Sequence, residues 1–435
     1  MVTLKQKLSL AFVIFLVVVY GIIFYIQKGT PEHHVTEIYF ADRITAAHKL
    51  LIDEYNRKME GKVKVLTIDF PNFDFSTNER KEVLARSLRG TGDGIDLFAV
   101  DPIWVQRFAK WCEPLDKYFS DTEKKRIMPQ AIESCYFEGE LVAVPLDYVQ
   151  GVMYYREDLL KKLNNGDAII KKINNGITWE EFLKLKSQIH YKGPFYVFPA
   201  ADYEGLICCY MEMLLSLQPE YFQLYGFNFN KPEAVETLQF MVDLVNKYNI
   251  TPKVVTNFTE VTSYQYYIKN DGLFLRGWPS YDKDFEDSPT DTSKEKYLRK
   301  APIPYFKDGK PASTIGGWHL MISKFSNKKK EVIDFVKFLL SDKSQETFFR
   351  VSGYYPVSKK IIEDSSYSKK YSQIKQIRKF IKSGVHRPAH EEYTRYSKTL
   401  SFYIEQAIKK EISVKEALSK TTSAIQLEKN TVKDF

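Results

Sequence analysis

Catalytic signatures are absent from this chain of 435 residues. It has no G-x-S-x-G turn, no phosphate-binding glycine loop, no dinucleotide-binding glycine pattern after a predicted strand and no H-E-x-x-H pair. His386 and His390 are four residues apart, but Pro388 between them disfavours the helix that would put both on one face. No two carboxylates stand out as an acid and base couple. We therefore expect no enzyme activity, no metal and no cofactor.

Cysteine is scarce, and positive charge is not concentrated. The four cysteines, Cys112, Cys135, Cys208 and Cys209, show no metal-ligand spacing, and the adjacent pair lies in a predicted helix, where the two side chains diverge. We expect all four to be small core residues. The net charge of +8 comes from lysines scattered along predicted helices. Such a distribution indicates solvated faces and argues against a nucleic-acid partner.

A long apolar run lies near the amino terminus. Residues 8–26 carry no charge and approach the roughly 20 residues that cross a bilayer, with Lys5 and Lys7 before them. The run is longer than the core of a cleaved signal, about 7–15 residues, and no small-residue cleavage site or lipid-accepting cysteine follows it. We expect a cytoplasmic stub at 1–7, a transmembrane signal anchor at 8–26 and a linker at 27–35. The alternative, a cleaved secretory signal, also exports the chain.

The rest of the chain is too long for one ordinary core and alternates between strand and helix patterns. The stretches "TEIYFA", "KVKVLTIDF" and "IDLFAVD" read as strands, with two helical patterns between them. This order predicts a parallel sheet, in which ligands bind beyond the carboxyl ends of the strands. The loops Ala41–Arg43, Phe70–Phe75 and Asp101–Trp104 lie there. We expect an α/β protein of two lobes.

Helix boundaries are also predicted further along the chain. Thr178 with Glu181, and Ser413 with Glu416, have the spacing of capping boxes at helix starts. Ser326 precedes a long helical pattern, "NKKKEVIDFVKFLLSDKSQETFF", which we predict to be one helix.

Aromatic and polar residues recur together at predicted strand ends. The stretches are "DPIW", "PLDY", "RGWPSY", "GGW" and "GYYP". Each alone is typical of a turn beside a core aromatic. Together they favour a cleft in which flat rings stack on apolar sugar faces while charged groups pair with hydroxyls.

The order of several blocks resembles the extracellular solute-binding proteins of carbohydrate ABC importers, the maltose-binding-like group. The blocks include "GIDLFAVDPIWVQRFAKWCEPLDKYF", "YFEGELVAVPLDYVQGVMYYREDLLKK" and "GGWHLMISKFSNKKKEVIDFVKFLLSDKSQETFFRVSGYYPVSKK". The resemblance covers roughly residues 36–425. It implies a two-lobe, periplasmic-binding-protein-like (type II) fold with a central cleft, which closes on its ligand by hinge bending.

Within that family, "DYEGLICCYMEMLL" and "GLFLRGWPSY" are similar to the trehalose/maltose-binding branch. The resemblance and the strand-end pattern together nominate these ligand-binding residues: Asp42, Asp101, Trp104, Asp147, Tyr148, Tyr203, Glu204, Arg276, Trp278, Tyr281, Gly317, Trp318, Tyr355 and Arg387. We predict that residues 36–153 and 268–320 form lobe 1 and that residues 154–267 and 321–435 form lobe 2.

The function that the resemblance implies is binding of a disaccharide or short oligosaccharide and delivery to ABC transporter permease subunits. We expect a monomer, anchored by one helix in the bacterial cytoplasmic membrane with the binding domain on its outer side. A tethered receptor that presents solute to a sensor kinase or chemoreceptor is the alternative. An exported glycosidase is a third possibility, which would need two carboxyl groups about 5–9.5 Å apart across the cleft.

Overall fold

The computed structural model describes residues 12–21, 35–71, 75–284 and 292–433. Its strands are β1 (Thr36–Asp42), β2 (Val63–Asp69), β3 (Leu97–Val100), β4 (Tyr136–Phe137), β5 (Glu140–Leu141), β6 (Val144–Pro145), β7 (Val149–Gln150), β8 (Val152–Arg156), β9 (Tyr196–Val197), β10 (Phe274–Gly277), β11 (Leu298–Ala301), β12 (Ser313–Gly316), β13 (His319–Ile322) and β14 (Gly384–Val385).

Helices fill most of the remaining chain. They are α1 (12–21), α2 (Ala46–Lys58), α3 (Thr77–Arg89), α4 (Val105–Phe108), α5 (Asp121–Lys125), α6 (Pro129–Ile132), α7 (Glu157–Leu160), α8 (Gly166–Asn175), α9 (Trp179–Gln188), α10 (Glu204–Leu217), α11 (Tyr221–Tyr225), α12 (Pro232–Asn246), α13 (Glu260–Lys269), α14 (Tyr281–Asp284), α15 (Lys329–Leu339), α16 (Asp342–Ser352), α17 (Lys359–Glu363), α18 (Ser365–Lys370), α19 (Gln373–Phe380), α20 (Tyr393–Lys409) and α21 (Val414–Lys433).

The first sheet has the strand order β2-β1-β3-β13-β6. Strand β1 pairs in parallel with β2 and β3, as the alternating pattern predicts, whereas β13 returns from far along the chain and pairs antiparallel with β3. Helix α2 buries Ala47, Leu51 and Tyr55 on one face. These elements form the framework of the first lobe, and the carboxyl ends of β1 and β3 meet at one edge.

The second lobe contains the mixed sheet β11-β8-β10-β9, in which β8 is antiparallel to both neighbours. Helix α10 is buried along nearly its whole length, because its sequence is apolar on all sides rather than on one stripe. A third sheet, β14-β12-β7, lies where the chain passes between the lobes.

Two hydrophobic cores define the lobes. Most side chains of the first core come from 38–146 and 320–354, and most of those of the second come from 148–315 and 355–425. The chain passes from one core to the other at 146–148, 315–320 and 354–355. Two-lobe architecture joined by several crossings is therefore present.

The cores divide the chain at other points than the boundaries drawn from the sequence. Phe274 and Ile315, which we assigned to lobe 1, pack in the second core, where β10 pairs with β8 and β12 pairs with β7. Ile322 and Val336, which we assigned to lobe 2, pack in the first core because β13 pairs with β3. Both differences come from strand pairs distant in sequence, which local patterns do not reveal.

The helix starts at Thr178 and Ser413 are confirmed. The backbone N–H groups of Glu181 and Glu416 donate to the hydroxyls of Thr178 and Ser413, at 3.2 and 3.1 Å. The long helix predicted after Ser326 is instead two helices, α15 and α16. Ser341 caps the second by accepting from the backbone of Ser344, so the chain turns there.

The predicted membrane anchor falls mostly outside the described residues. Of residues 8–26 the structure describes 12–21, which are helical and mostly exposed, and the predicted stub at 1–7 is not described. Of the predicted linker, only residue 35 is described. No helix within the described ranges is long and apolar enough to cross a bilayer.

Candidate functional site

A cavity of about 520 Å³ lies between the two lobes. The first lobe contributes residues that follow β1 and β3 and the start of helix α3. The second lobe contributes the starts of α10 and α13 and the turn after β10. Three helices thus begin at the cavity. Capping boxes at Ser76 and Thr259 occupy the N3 backbone N–H groups of α3 and α13, whereas α10 begins without a side-chain cap, so its first N–H groups lack partners within the helix. The carboxyl edge of the parallel sheet is the predicted place for a site.

The structure brings most of the nominated residues to this cavity. Those that line it are Asp101, Asp147, Tyr203, Glu204, Trp278, Tyr281, Gly317, Trp318 and Arg387. Those outside its lining are Asp42, Trp104, Tyr148, Arg276 and Tyr355.

The Gly316-Gly317-Trp318 turn forms one wall. Gly317 has φ of +118°, and a Cβ there would lie 2.6 Å from Oδ1 of Asp147, so only glycine fits without strain. Close approach lets the backbone N–H of Trp318 donate to Oδ1 of Asp147 at 2.9 Å. At Gly316 a Cβ would lie 3.2 Å from the ring of Trp278. The two glycines therefore set the positions of both indoles.

The indole of Trp318 is backed by a buried ion pair of the first lobe. The guanidinium of Arg80 lies 3.8 Å from the ring centroid, and its Nη2 donates to Oδ1 of Asp42 at 2.6 Å. Nε2 of His48 lies 3.3 Å from the other carboxylate oxygen. Burial alone would raise the pKa of Asp42, but the contacts with His48 and Arg80 hold that pKa below its ordinary value. The carboxylate of Asp42 therefore makes its contacts inside the first lobe and does not face the cavity.

The indole of Trp278 is backed in the same way in the second lobe. The guanidinium of Arg276 lies 4.2 Å from its ring centroid. Nε and Nη2 of Arg276 donate to the two carboxylate oxygens of Glu212 at 3.1 and 2.7 Å, and Thr314 donates to the same carboxylate at 2.7 Å. Burial lowers the pKa of Arg276, but the charge of Glu212 more than offsets this and raises it. Arg276 therefore lies behind the wall rather than on its surface.

Arg387 joins the lobes at the cavity. Its Nη2 donates to Oδ1 of Asp101, at the end of β3, at 2.6 Å, and its Nη1 donates to Oε1 of Glu204, at the start of α10, at 2.8 Å. The hydroxyl of Tyr393 donates to the same oxygen of Glu204 at 2.7 Å. Burial raises the pKa of Glu204, and the charge of Arg387 offsets part of that rise. This cluster is a polar bridge between the first and second lobes.

Aromatic rings and one more carboxylate complete the second-lobe side. Burial raises the pKa of Glu260, and the charge of Arg276 counters part of the rise. The ring of Tyr281 is stacked on Tyr154, with 6.0 Å between centroids and 8° between planes. Carboxylates and flat rings therefore alternate around this side of the cavity.

The nominated residues outside the lining are held elsewhere. Trp104 is buried against Tyr393. Tyr148 and Tyr355 form a bridge of backbone at the crossing between lobes, and both side chains lie in the second core. In the described ranges no group of histidines, cysteines and acidic residues could hold a metal ion, and the four cysteines are free and buried.

Sequence reasoning did not nominate several residues that line the cavity. Arg43, Phe75 and Tyr354 lie in segments that the sequence analysis had marked as candidates. Asp42 and Tyr355 were nominated instead of Arg43 and Tyr354, and no residue of the loop at 70–75 was nominated. Side chains alternate along a strand, so Asp42 points into the lobe and its neighbour Arg43 reaches the cavity. Glu79 and Glu260 were not considered. The S-x-x-E spacing of Ser76 and Glu79 is a helix-start signal that could have located the first of them.

Comparison with known proteins agrees with this geometry. The family described as bacterial extracellular solute-binding protein matches residues 40–346, which is more than half of the chain. This chain belongs to that family. A relative from Deinococcus radiodurans, described as a probable ABC transporter-binding protein, is 25% identical over 392 residues, covering 87% of this chain and 89% of its own length.

Solved structures show the same fold. Maltose-bound MalE3 of T. maritima is 25% identical, with a TM-score of 0.77 over 90% of this chain and 100% of that chain. An ABC transporter solute-binding protein from Thermotoga lettingae, bound with alpha-D-tagatose, is 22% identical, with a TM-score of 0.72 over 90% of this chain and 98% of that chain.

The family decides between the function classes left open by the sequence. Its members are substrate-binding proteins of ABC transporters and not enzymes, which confirms that expectation and removes the glycosidase alternative. Membership of an extracellular family implies that the binding domain lies outside the cytoplasmic membrane. Neither the family nor these relatives support the sensor-kinase alternative.

Proposed function

We propose that the protein binds a carbohydrate, a disaccharide or short oligosaccharide, in the cavity between its lobes and delivers it to the permease of an ABC transporter. The observation that carries the proposal is the pair of indoles, Trp318 from the first lobe and Trp278 from the second, at one cavity. Flat aromatic rings stack on the apolar faces of sugar rings, and two such rings suit a ligand of more than one sugar unit.

The polar residues of the cavity support the same ligand class. Vicinal hydroxyls of a sugar are recognised by groups that accept or donate in pairs, and Asp101, Asp147, Glu204 and Glu260 supply carboxylates around the cavity. The volume of about 520 Å³ falls within the roughly 300–1,000 Å³ of small-molecule sites. MalE3, which shares the fold, is described as maltose bound, and we expect this chain to hold its ligand in the cavity between its lobes.

Hinge closure is the mechanism that the arrangement favours. The chain passes between the cores at three places, and small rotations at such crossings can open or close a cleft. Arg387 and Asp101 pair across the lobes, so ligand and ion pair would both favour the closed form. The closed form would dock on the permease.

Binding is tested with the full-length protein. Intrinsic tryptophan emission and melting temperature are measured against maltose, trehalose, sucrose and maltotriose, with glucose as the control for ligand size. We expect a saturable emission change and a melting temperature that rises with concentration, because a ligand at 100 times its Kd stabilises the folded state by about 2.7 kcal/mol. A well-folded protein that responds to no sugar would overturn the proposal.

We propose that residues 8–26 hold this domain at the outer face of the membrane. In a bacterial host, the full chain should stay in the membrane pellet after alkaline carbonate washing, whereas replacing residues 8–26 by a cleavable signal should release the domain. Release of the full chain by carbonate would refute the anchor.

A further inference from the structure

The two tryptophans of the cavity share a support that the family comparison does not assign. Behind Trp318 lies Arg80, paired with the buried Asp42, and behind Trp278 lies Arg276, paired with the buried Glu212. The order of groups is the same in both lobes: a buried carboxylate, an arginine, an indole and then the cavity.

Each arginine has buried nitrogen atoms that its carboxylate does not reach. Nε and Nη1 of Arg80, and Nη1 of Arg276, are buried and have no hydrogen-bond partner in the described part of the chain. A buried N–H without a partner is costly, whereas a guanidinium over the face of an indole gains a cation–π interaction. The cation–π contact therefore offsets part of the cost of burying the nitrogens that the carboxylate does not reach.

We propose that Arg80 and Arg276 are positioning residues that fix the tilt and depth of Trp318 and Trp278 in the cavity. This inference rests on the proposed function for its effect on affinity, but not for its effect on the indoles themselves. Each arginine touches the ring rather than the ligand, so the sequence-based nomination of Arg276 as a direct ligand contact is replaced by a role through Trp278.

Lysine cannot replace either arginine in this role. Lysine keeps the charge that the carboxylate needs, but its ammonium is a compact point charge without a plane to stack on the ring. Arg80→Lys and Arg276→Lys therefore remove the support while keeping the buried ion pair. Methionine would remove the charge and leave the carboxylate unpaired, so the lysine variants are the ones that should fold.

The first experiment needs no ligand. Emission spectra of the full-length protein are compared with those of Arg80→Lys, in the native background and in a Trp318→Phe background. We expect Arg80→Lys to shift the emission in the first background and not in the second, because Trp318 is the reporter. Arg276→Lys is tested with Trp278→Phe in the same way. Lys110→Met is the matched control. It removes a cation that lies 4.7 Å from the ring of another tryptophan, Trp111, which is outside the cavity.

The second experiment measures Kd for whichever sugar binds. We expect the folded fraction of each lysine variant to bind about tenfold more weakly, since a cation–π contact away from water is among the stronger ones. Arg276→Lys should also lower the melting temperature, because lysine cannot keep both hydrogen bonds to Glu212. In the Trp318→Phe background Arg80→Lys should change Kd no further, because it acts through that ring. A merely structural arginine would instead lower the melting temperature and leave the Kd of the folded fraction unchanged.

The outcomes separate this inference from the proposed function. If no sugar binds but Arg80→Lys shifts the emission only where Trp318 is present, the positioning role stands and the ligand class is wrong. If sugar binds and folded Arg80→Lys and Arg276→Lys change neither emission nor Kd, the positioning role is overturned and the proposed function is kept.

Discussion

The supports of the two cavity tryptophans differ in how completely they are paired. Glu212 accepts two hydrogen bonds from Arg276 and further bonds from the backbone and hydroxyl of Thr314. Oδ1 of Asp42 accepts one hydrogen bond from Arg80 and one from the backbone N–H of Arg43, and Oδ2 faces Nε2 of His48 at 3.3 Å. The pKa of Arg276 is raised, whereas burial lowers the pKa of Arg80 despite Asp42.

This difference indicates that the second-lobe wall is the more firmly fixed of the two. Paired groups in a buried site hold their geometry strongly when every member has partners, and partly satisfied sites hold it less well. We infer that Trp278 is a fixed platform and that Trp318 can adjust to the ligand. The first three predictions below each compare two matched changes, and the last tests the first-lobe support by itself.

The largest effect is expected from removing the carboxylates. Glu212→Ala leaves the guanidinium of Arg276 buried without its partner, and breaking a buried pair costs about 3–5 kcal/mol. Asp42→Ala should cost less, because fewer hydrogen bonds are lost there. The free energy of unfolding in urea measures both. Equal losses would contradict the difference between the lobes.

Truncating the indoles should affect affinity more than stability. Trp318→Ala and Trp278→Ala each remove a stacking surface, and central aromatic contacts are worth about 2 kcal/mol or more, roughly thirtyfold in Kd. Sugar titration with a parallel melting curve measures the two effects separately. Trp111→Ala, outside the cavity, is the control. An unchanged Kd together with a much lower melting temperature would mark Trp318 as a core residue instead.

Local patterns in the sequence predicted the fold class well and the lobe boundaries poorly. The parallel order of β1, β2 and β3 follows from neighbouring strands linked by helices, which is a local signal. The pairing of β13 with β3, and of β10 with β8, joins segments far apart in the chain, and no local pattern specifies it. Those pairs decide which lobe each returning segment joins.

The candidate site was predicted at the level of segments rather than side chains. The turn containing Gly317 and Trp318 could be recognised because a glycine pair beside a tryptophan is distinctive. Asp42 and Arg276 were chosen because charged residues at strand ends are typical of ligand contacts. Asp42 and Arg276 lie on strands, and they are buried behind the indoles because they pair with Arg80 and Glu212, which lie on helices α3 and α10. Such pairing across elements cannot be derived from one sequence.

Replacing either glycine of the turn by alanine should lower the free energy of unfolding by an intermediate amount. The loss should be larger at Gly317 than at Gly316. Gly317→Ala forces a side chain onto φ of +118° and against the carboxylate of Asp147, and such strain costs about 1–3 kcal/mol. Gly316→Ala meets the ring of Trp278 at 3.2 Å and the side chain of Val149 at 3.3 Å, which a small shift relieves. Unfolding and sugar titration of both variants measure this. A larger stability loss in Gly316→Ala would show that Trp278 cannot yield.

The smallest effect is expected from acid titration of the first-lobe support. The pKa of Asp42 is lower in the folded protein than its ordinary value of 3.8. The unfolded chain therefore binds the proton more readily, and the stability that Asp42 supplies at neutral pH is lost as the pH falls below about 4. Subtracting the pH profile of Asp42→Asn from that of the native protein isolates this loss, because other carboxylates titrate in both. We expect a difference of about 1.4 kcal/mol for each pKa unit of depression. A difference that does not change between pH 3 and pH 6 would mean that Asp42 is not held by His48 and Arg80, and that the two walls are supported in unlike ways.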